Sequence, residues 1–366
     1  MTTGGKILKN IKNFLVMGSA VFLINNSAIA QTENSGKISN HSSLEKSQMK
    51  ENSGLENNVE AQTKVNEKFD YAREILDLEK EAGFDVLPFH YRTLDSLINE
   101  AKKEVHLDSV AEESKKEQAL SNLKNISEIF RKSNFLYSNN PDILFHEALE
   151  TKKMNSYNCL ALYLEIAEKT GLPITAKKSG DHCFIEYELD SEIFGWEPAF
   201  GTEQDEKLYK KLEKNKNIIQ LDKEKFLGIE YRTIGISLYK KEKCGKAMEY
   251  IIKSMNANIT EARTNKYEGD VYKCLGKDEK ALDSYNYAIK FEENFLEAYI
   301  ARGEMFYKKG KLSETLEDYN KAIELSPDNP ELYKTRGDIL IKISENKNKK
   351  KAEQDYEKAL ELILGK

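Results

Sequence analysis

Several residue types that mark common functional classes are scarce in this sequence. The five histidines are scattered, and His146, although followed by Glu147, lacks the second histidine of a zinc-protease helix. Lys and Arg number 56 against 62 Asp and Glu, and the formal net charge is −6. That balance disfavours nucleic acid or an anionic membrane as the main partner. We therefore predict no metal, no cofactor and no nucleic-acid partner.

Long apolar runs are also lacking, except for a short one near the N-terminus. Lysines precede the run Phe14–Ile24, and Ala28–Ala30 gives a small-x-small cleavage pattern. After it, no stretch approaches the roughly 18 apolar residues of a membrane span. We predict an export signal over 1–30, and hence a periplasmic, cell-envelope or secreted protein without a stable membrane span after cleavage. An uncleaved anchor is the alternative. Residues 31–62 are polar and predict a disordered tether.

One segment places a cysteine, a histidine and a carboxylate in an order that suits thiol chemistry. Cys159 lies near the start of an apolar-periodic helix that ends at Gly171. At a helix start, unpaired amides and the dipole favour a thiolate, so we expect its pKa to fall below the roughly 8.5 of a free thiol. His182 opens one strand-like run and Glu197 ends the next, and a hairpin would bring the two together. Ordinary core packing of Cys159 is the alternative.

Four stretches of this segment carry a family resemblance. They read D-I-L-F-H-E-A-L-E, N-C-L-A-L-Y-L-E-I-A-E-K-T-G-L-P, G-D-H-C-F-I-E-Y and W-E-P-A-F-G. The segment resembles the transglutaminase-like branch of the papain-like cysteine superfamily, most closely a bacterial group with a helical front end and a tail of tetratricopeptide repeats. The resemblance implies that Cys159 is the nucleophile, His182 the base and Glu197 the third member, in a domain over 63–221. Glu stands where the superfamily mostly has Asp, and some members of the group have lost the cysteine.

The rest of the chain is repetitive. Gly235, Gly269, Gly303 and Gly337 recur every 34 residues, with large and small apolar residues in register behind them. This pattern is similar to that of tetratricopeptide repeats, in which paired helices meet closely at Gly and Ala. Residues 222–366 are therefore predicted to form an all-α solenoid of four repeats, and the predicted units span 228–261, 262–295, 296–329 and 330–366.

A solenoid of this kind has a concave face built from the first helix of each repeat. Both charge signs occur among the residues that we place there, which are Arg232, Lys266, Asp270, Tyr307 and Lys334. We predict a groove for a protein or an extended peptide, and a rigid spacer is the alternative. Cys244 begins one repeat helix and Cys274 ends a neighbouring one, so a disulfide is geometrically possible. Two thiols packed between the helices are the alternative.

Together these patterns predict a mainly α protein with a small antiparallel sheet, an α+β transglutaminase-like core and an all-α solenoid. The leading functional hypothesis is a Cys-His-Glu amidase, peptidase or acyltransferase whose repeats hold a protein partner. Hydrolysis and acyl transfer share an acyl-enzyme step, so the sequence does not separate them. The alternative is a non-catalytic scaffold that acts through its repeats.

Overall fold

The structure is a computed structural model, and it describes residues 69–107, 115–179, 182–189, 192–203, 218–257, 259, 261–343 and 345–365. The predicted signal peptide and tether lie outside the described residues. All described residues belong to one compact unit, Asn66–Lys366.

Helices make up most of the fold. Five of them precede or accompany the sheet: α1 Tyr71–Glu81, α2 Pro88–Glu104, α3 Lys115–Lys132, α4 Phe145–Thr151 and α5 Ser156–Thr170. Eight more follow as pairs: α6 Lys223–Lys240 with α7 Cys244–Asn256, α8 Ala262–Cys274 with α9 Asp278–Phe291, α10 Leu296–Lys308 with α11 Leu312–Leu325, and α12 Pro330–Ile343 with α13 Glu345–Leu364. No helix in the described part of the chain is long and apolar enough to span a membrane.

Helix α5 is the centre of the first half of the fold. Its residues from Tyr157 to Ala167 are all buried, because α1 to α3 and the sheet surround it. The Asn155 side chain caps its start by accepting a hydrogen bond from the Asn158 amide at 2.8 Å. Gly171, in the left-handed region at φ 79°, ends the helix as the sequence predicts.

A five-stranded antiparallel sheet packs against α5. Its strands are β3 Ile174–Ser179, β4 His182–Leu189, β5 Glu192–Glu197, β6 Thr202–Glu203 and β7 Ile218–Gln220, in the order β6-β5-β4-β3-β7. The predicted hairpin is β4–β5, with Ile185 opposite Trp196. Two short parallel strands, β1 Leu136–Tyr137 and β2 Lys153–Met154, lie beside the start of α5. The small antiparallel sheet of the predicted fold class is thus present.

The helix pairs follow the predicted 34-residue register. Helices α8, α10 and α12 begin at Ala262, Leu296 and Pro330, where predicted repeats begin. The first pair differs, because α6 begins at Lys223 and not at the predicted 228. Asp222 explains the early start, since its side chain accepts a hydrogen bond from the Lys225 amide at 2.9 Å and so caps the helix.

Close approach of the paired helices explains the recurring glycines. A Cβ on Gly269 would lie 2.5 Å from the Tyr285 ring, and one on Gly337 would lie 2.8 Å from the Tyr356 ring. One small residue in each second helix is fully buried: Ala247, Ala281, Thr315 and Ala352. In each helix pair the glycine therefore leaves room between the helices, and the large side chain opposite the glycine occupies it.

Cys244 and Cys274 form a disulfide across 6.2 Å between their Cα atoms. The bond joins the start of α7 to the end of α8. The alternative of two packed thiols is therefore wrong for this pair, because antiparallel neighbouring helices bring that start and that end together.

Candidate functional site

His182 and Glu197 meet at one end of the β4–β5 hairpin. His182 Nε2 lies 2.9 Å from Glu197 Oε1. The pair is accessible on its histidine side, since 39% of the His182 side chain and 13% of the Glu197 side chain are exposed. This is the arrangement by which a carboxylate fixes the orientation of an imidazole. The structure thus brings together two of the three predicted site residues.

Cys159 occupies the predicted place near the start of α5, but its environment differs from the predicted one. Its own amide donates to the Asn155 carbonyl oxygen at 3.1 Å, so it is already part of the helix ladder. The residue is 6% exposed. Burial raises the pKa of the Cys159 thiol to about 12. The expectation of a lowered pKa is therefore not met, because burial disfavours the charged thiolate.

Alternation along the strands separates Cys159 from the His182–Glu197 pair. Trp196 lies on the sheet face that packs on α5, where its indole donates to the Tyr163 hydroxyl at 3.1 Å. Glu197, next in sequence, projects to the opposite face, and His182 pairs with it there. Within the described residues no hydrogen bond joins the Cys159 sulfur to His182. The structure therefore shows a His–Glu pair and a buried thiol, without the link that a triad needs.

A cleft of about 360 Å³ reaches Cys159 from the side of α3. The turn after β5, from Pro198 to Gly201, forms one wall, and Met154 also lines the cleft. Two exposed aromatic rings, Tyr137 and Phe200, stand together at the rim with centroids 4.8 Å apart. The cleft is therefore large enough for one or two peptide residues and is partly apolar.

The predicted groove residues divide into open and enclosed ones. Tyr307 is 39% exposed and Lys334 is partly exposed, so both are accessible to a ligand. Asp270 is buried, and it accepts hydrogen bonds from Lys266 and from the Tyr285 hydroxyl, each at 2.8 Å. Arg232 is buried as well, and it pairs with Glu261. We correct the interpretation of Asp270 and Arg232 as open groove residues, because ion pairs and helix packing enclose them.

Sequence reasoning missed the charged residues that join the sheet half of the fold to the helix pairs. Lys178 of β3 is buried and binds Glu261 at 2.7 Å, on the same carboxylate that Arg232 uses. The Asp142 carboxylate forms ion pairs with Arg263 at 2.8 Å and with Lys240 at 3.0 Å. Burial of Asp142 opposes its ionisation, but these two cations outweigh burial and lower its pKa. Strand alternation could have indicated that Lys178 is buried, because it lies on the same sheet face as Ala176.

A buried carboxyl pair lies at the same boundary. The Glu79 carboxylate of α1 accepts hydrogen bonds from the backbone amides of Phe145 and His146 at the start of α4. Glu230 of α6 is buried beside it, and burial raises the pKa of Glu230 far above its usual range, with the charge of Glu79 adding to the effect. Burial therefore favours the protonated form of Glu230.

Comparison with known proteins bears on the helix pairs. A family model described as TPR repeat matches residues 269–310 and 303–343. No curated protein sequence matches this chain. The solved structures similar to it include YrrB, described as a TPR protein with an unusual peptide-binding site, at 22% identity and a TM-score of 0.32, covering 37% of this chain and 68% of that one.

Two further solved structures belong to the same group of matches. MamA from Desulfovibrio magneticus RS-1 is 17% identical with a TM-score of 0.34, covering 38% of this chain and 77% of its own. The first TPR of Spaghetti (RPAP3), bound to an HSP90 peptide, is 24% identical with a TM-score of 0.32, covering 34% of this chain and 97% of its own. The family model carries the conclusion: the C-terminal part of this chain contains tetratricopeptide repeats, and that prediction is confirmed.

Proposed function

We propose that the protein is a protein-binding scaffold whose tetratricopeptide groove holds an extended peptide segment. The observation that carries this proposal is the stack of helix pairs in tetratricopeptide register, with accessible residues such as Tyr307 on a first helix. Solenoids of this type present long concave surfaces suited to peptides. The YrrB and RPAP3 structures, described as having a peptide-binding site and a bound peptide, are in keeping with it.

Two exposed tyrosines provide a matched test. Peptides of twelve residues would be selected from a random display library on the chain and their affinities measured by fluorescence anisotropy. Tyr307→Ala, on first helix α10, should weaken selected peptides at least fivefold. Tyr287→Ala, on second helix α9 and 61% exposed, should leave them within twofold. A library that yields no binder, or binders indifferent to Tyr307, would refute the groove.

In this proposal the segment 63–221 is a transglutaminase-like domain kept as a scaffold. Its support is the order of elements: a cysteine near the start of α5, a histidine opening β4 and an acid ending β5. The raised pKa of Cys159 favours a structural role for the thiol over a catalytic one. Export is also proposed, and the Cys244–Cys274 disulfide supports it, since such bonds persist in oxidising compartments.

A second candidate function is a thiol amidase, peptidase or acyltransferase. The observation in its favour is the hydrogen bond between His182 and Glu197. Catalysis would require the Cys159 sulfur to reach that imidazole and to lose its proton to it. Selective labelling of Cys159 by a dilute alkylator at neutral pH would favour this candidate, and an inert thiol would favour the scaffold.

A further inference from the structure

A second cavity, of about 390 Å³, lies where the sheet half of the fold meets the first two repeats, and we call it the junction cavity. The sheet half contributes residues 138–139, 155–157 and Lys178 to its wall. The repeats contribute Arg232 of α6 and Arg263 of α8. Its volume is that of a small-ligand site and would accommodate one or two peptide side chains.

The wall of the junction cavity is cationic. Lys178, Arg232 and Arg263 line it, and no carboxylate among the described residues does. The carboxylates that bind these cations, Glu261 and Asp142, are not among the residues that line the wall. Only 2% of the Lys178 side chain and 6% of the Arg232 side chain are exposed, so water screens these charges weakly. A carboxylate entering the cavity would therefore meet strong donors at low dielectric.

The junction cavity also lies on the groove side of the repeats. Arg232 and Lys266 occupy equivalent positions 34 residues apart on first helices, as do Ile229 and Arg263. Since first helices form the concave face, the cavity is the first-repeat end of the groove, where the sheet half meets it. A peptide held along the groove would place one of its residues at this end.

We propose that the junction cavity receives a carboxylate side chain, Asp or Glu, of the peptide held in the groove. Charge complementarity selects this occupant. Lys178 and Arg232 share the one carboxylate of Glu261, and Arg263 shares that of Asp142 with Lys240, so cations outnumber carboxylates around the cavity. Guanidinium groups bind carboxylates through paired N–H donors, and two arginines line the wall. The inference rests on the proposed peptide-binding function.

Peptides selected from the twelve-residue display library test the inference. The selected peptides should share an Asp or Glu at one position, and its replacement by Asn or Gln should weaken binding at least tenfold. Arg263→Gln should reduce that tenfold difference to threefold or less, because the cavity then lacks one of its two guanidinium groups. Lys308→Gln, which removes an exposed charge of the same sign from α10, should preserve it. A photo-crosslinker beside the acidic residue should attach to residues 138–141 or 155–157, and this readout needs no variant.

The outcomes separate the inference from the proposed function. Selected peptides without a shared acid, or crosslinks confined to α10 and α12, would overturn the inference and leave the groove standing. A library that yields no binders would refute both the inference and the proposed peptide-binding function. Inorganic phosphate provides the other source of anion: if phosphate alone raises the Tm of the wild type but not of Arg263→Gln, while peptides show no acid preference, the cavity binds small anions and the peptide inference is wrong.

Discussion

The imidazole of His182 and the carboxylate of Glu197 lie 2.9 Å apart across the hairpin, on the sheet face turned away from Trp196. Cys159, on the helix that packs against the other face, has no hydrogen bond to this pair among the described residues. The two halves of a thiol site are therefore present but separate. Chemistry at Cys159 would need a base that takes the proton of the thiol.

The reactivity of Cys159 follows from its burial. With a pKa of about 12, the thiolate fraction at pH 7.5 is roughly three orders of magnitude below that of a free thiol. Iodoacetamide should therefore modify Cys159 slowly, with a rate that is still rising at pH 9, and His182→Ala should not change it. A Cys183→Ser background would assign the modification by mass spectrometry. Fast labelling at neutral pH that depends on His182 would contradict the structure and restore the catalytic hypothesis.

A pH dependence of stability should arise from Glu230. Its pKa is raised in the folded state, so between the unfolded value near 4.5 and the raised value the folded chain holds a proton that the unfolded chain has lost. Stability from this group is thus fully present below about pH 4 and is lost as the pH rises toward the raised pKa. Glu230→Gln, which mimics the protonated form, should flatten the decline and raise stability at pH 7.

Urea unfolding between pH 4 and pH 8 would measure this effect. Glu224→Gln, an exposed substitution on the same helix, is the matched control and should leave the profile unchanged. If the Glu230→Gln protein is less stable than the wild type at pH 7, the proton is not on Glu230 in the folded state.

The sequence predicts the periodic parts of the molecule well and the enclosed charges poorly. Glycines at a fixed spacing locate the helix pairs, since only close packing requires them at that period. The hairpin brings Glu197 to His182 because strand register is a local property. The burial of Cys159, Lys178 and Glu230 depends on contacts between distant segments, so no local pattern carries it. For the same reason the helix-start argument alone gives the wrong direction for the pKa of Cys159.

Packing at the repeat glycines predicts a difference between two similar substitutions. Gly269→Ala would place a Cβ 2.5 Å from the Tyr285 ring, which the opposite helix holds in place, so it should destabilise the chain by about 1–3 kcal/mol. Gly245→Ala, inside α7 with no atom within 4 Å, should be neutral or stabilise by up to about 1 kcal/mol. Chemical denaturation of both variants tests the register, and equal effects would mean that the helix pairing is misassigned.

The disulfide joins Cys244 and Cys274, which are 30 residues apart, and the loop that it closes contains the whole of α7 and α8. Cross-linking such a loop restricts the unfolded chain, so its loss should cost about 2–4 kcal/mol. Cys244→Ser with Cys274→Ser should lower the Tm, and a reducing agent should lower the Tm of the wild type to a similar value. The same agent should leave the double variant unchanged, since no disulfide remains there. Non-reduced peptide mapping of the protein isolated from its native cells should recover the two cysteines in one linked product. Recovery of two separate thiols would mean that the chain resides in a reducing compartment, and it would remove the disulfide's support for export.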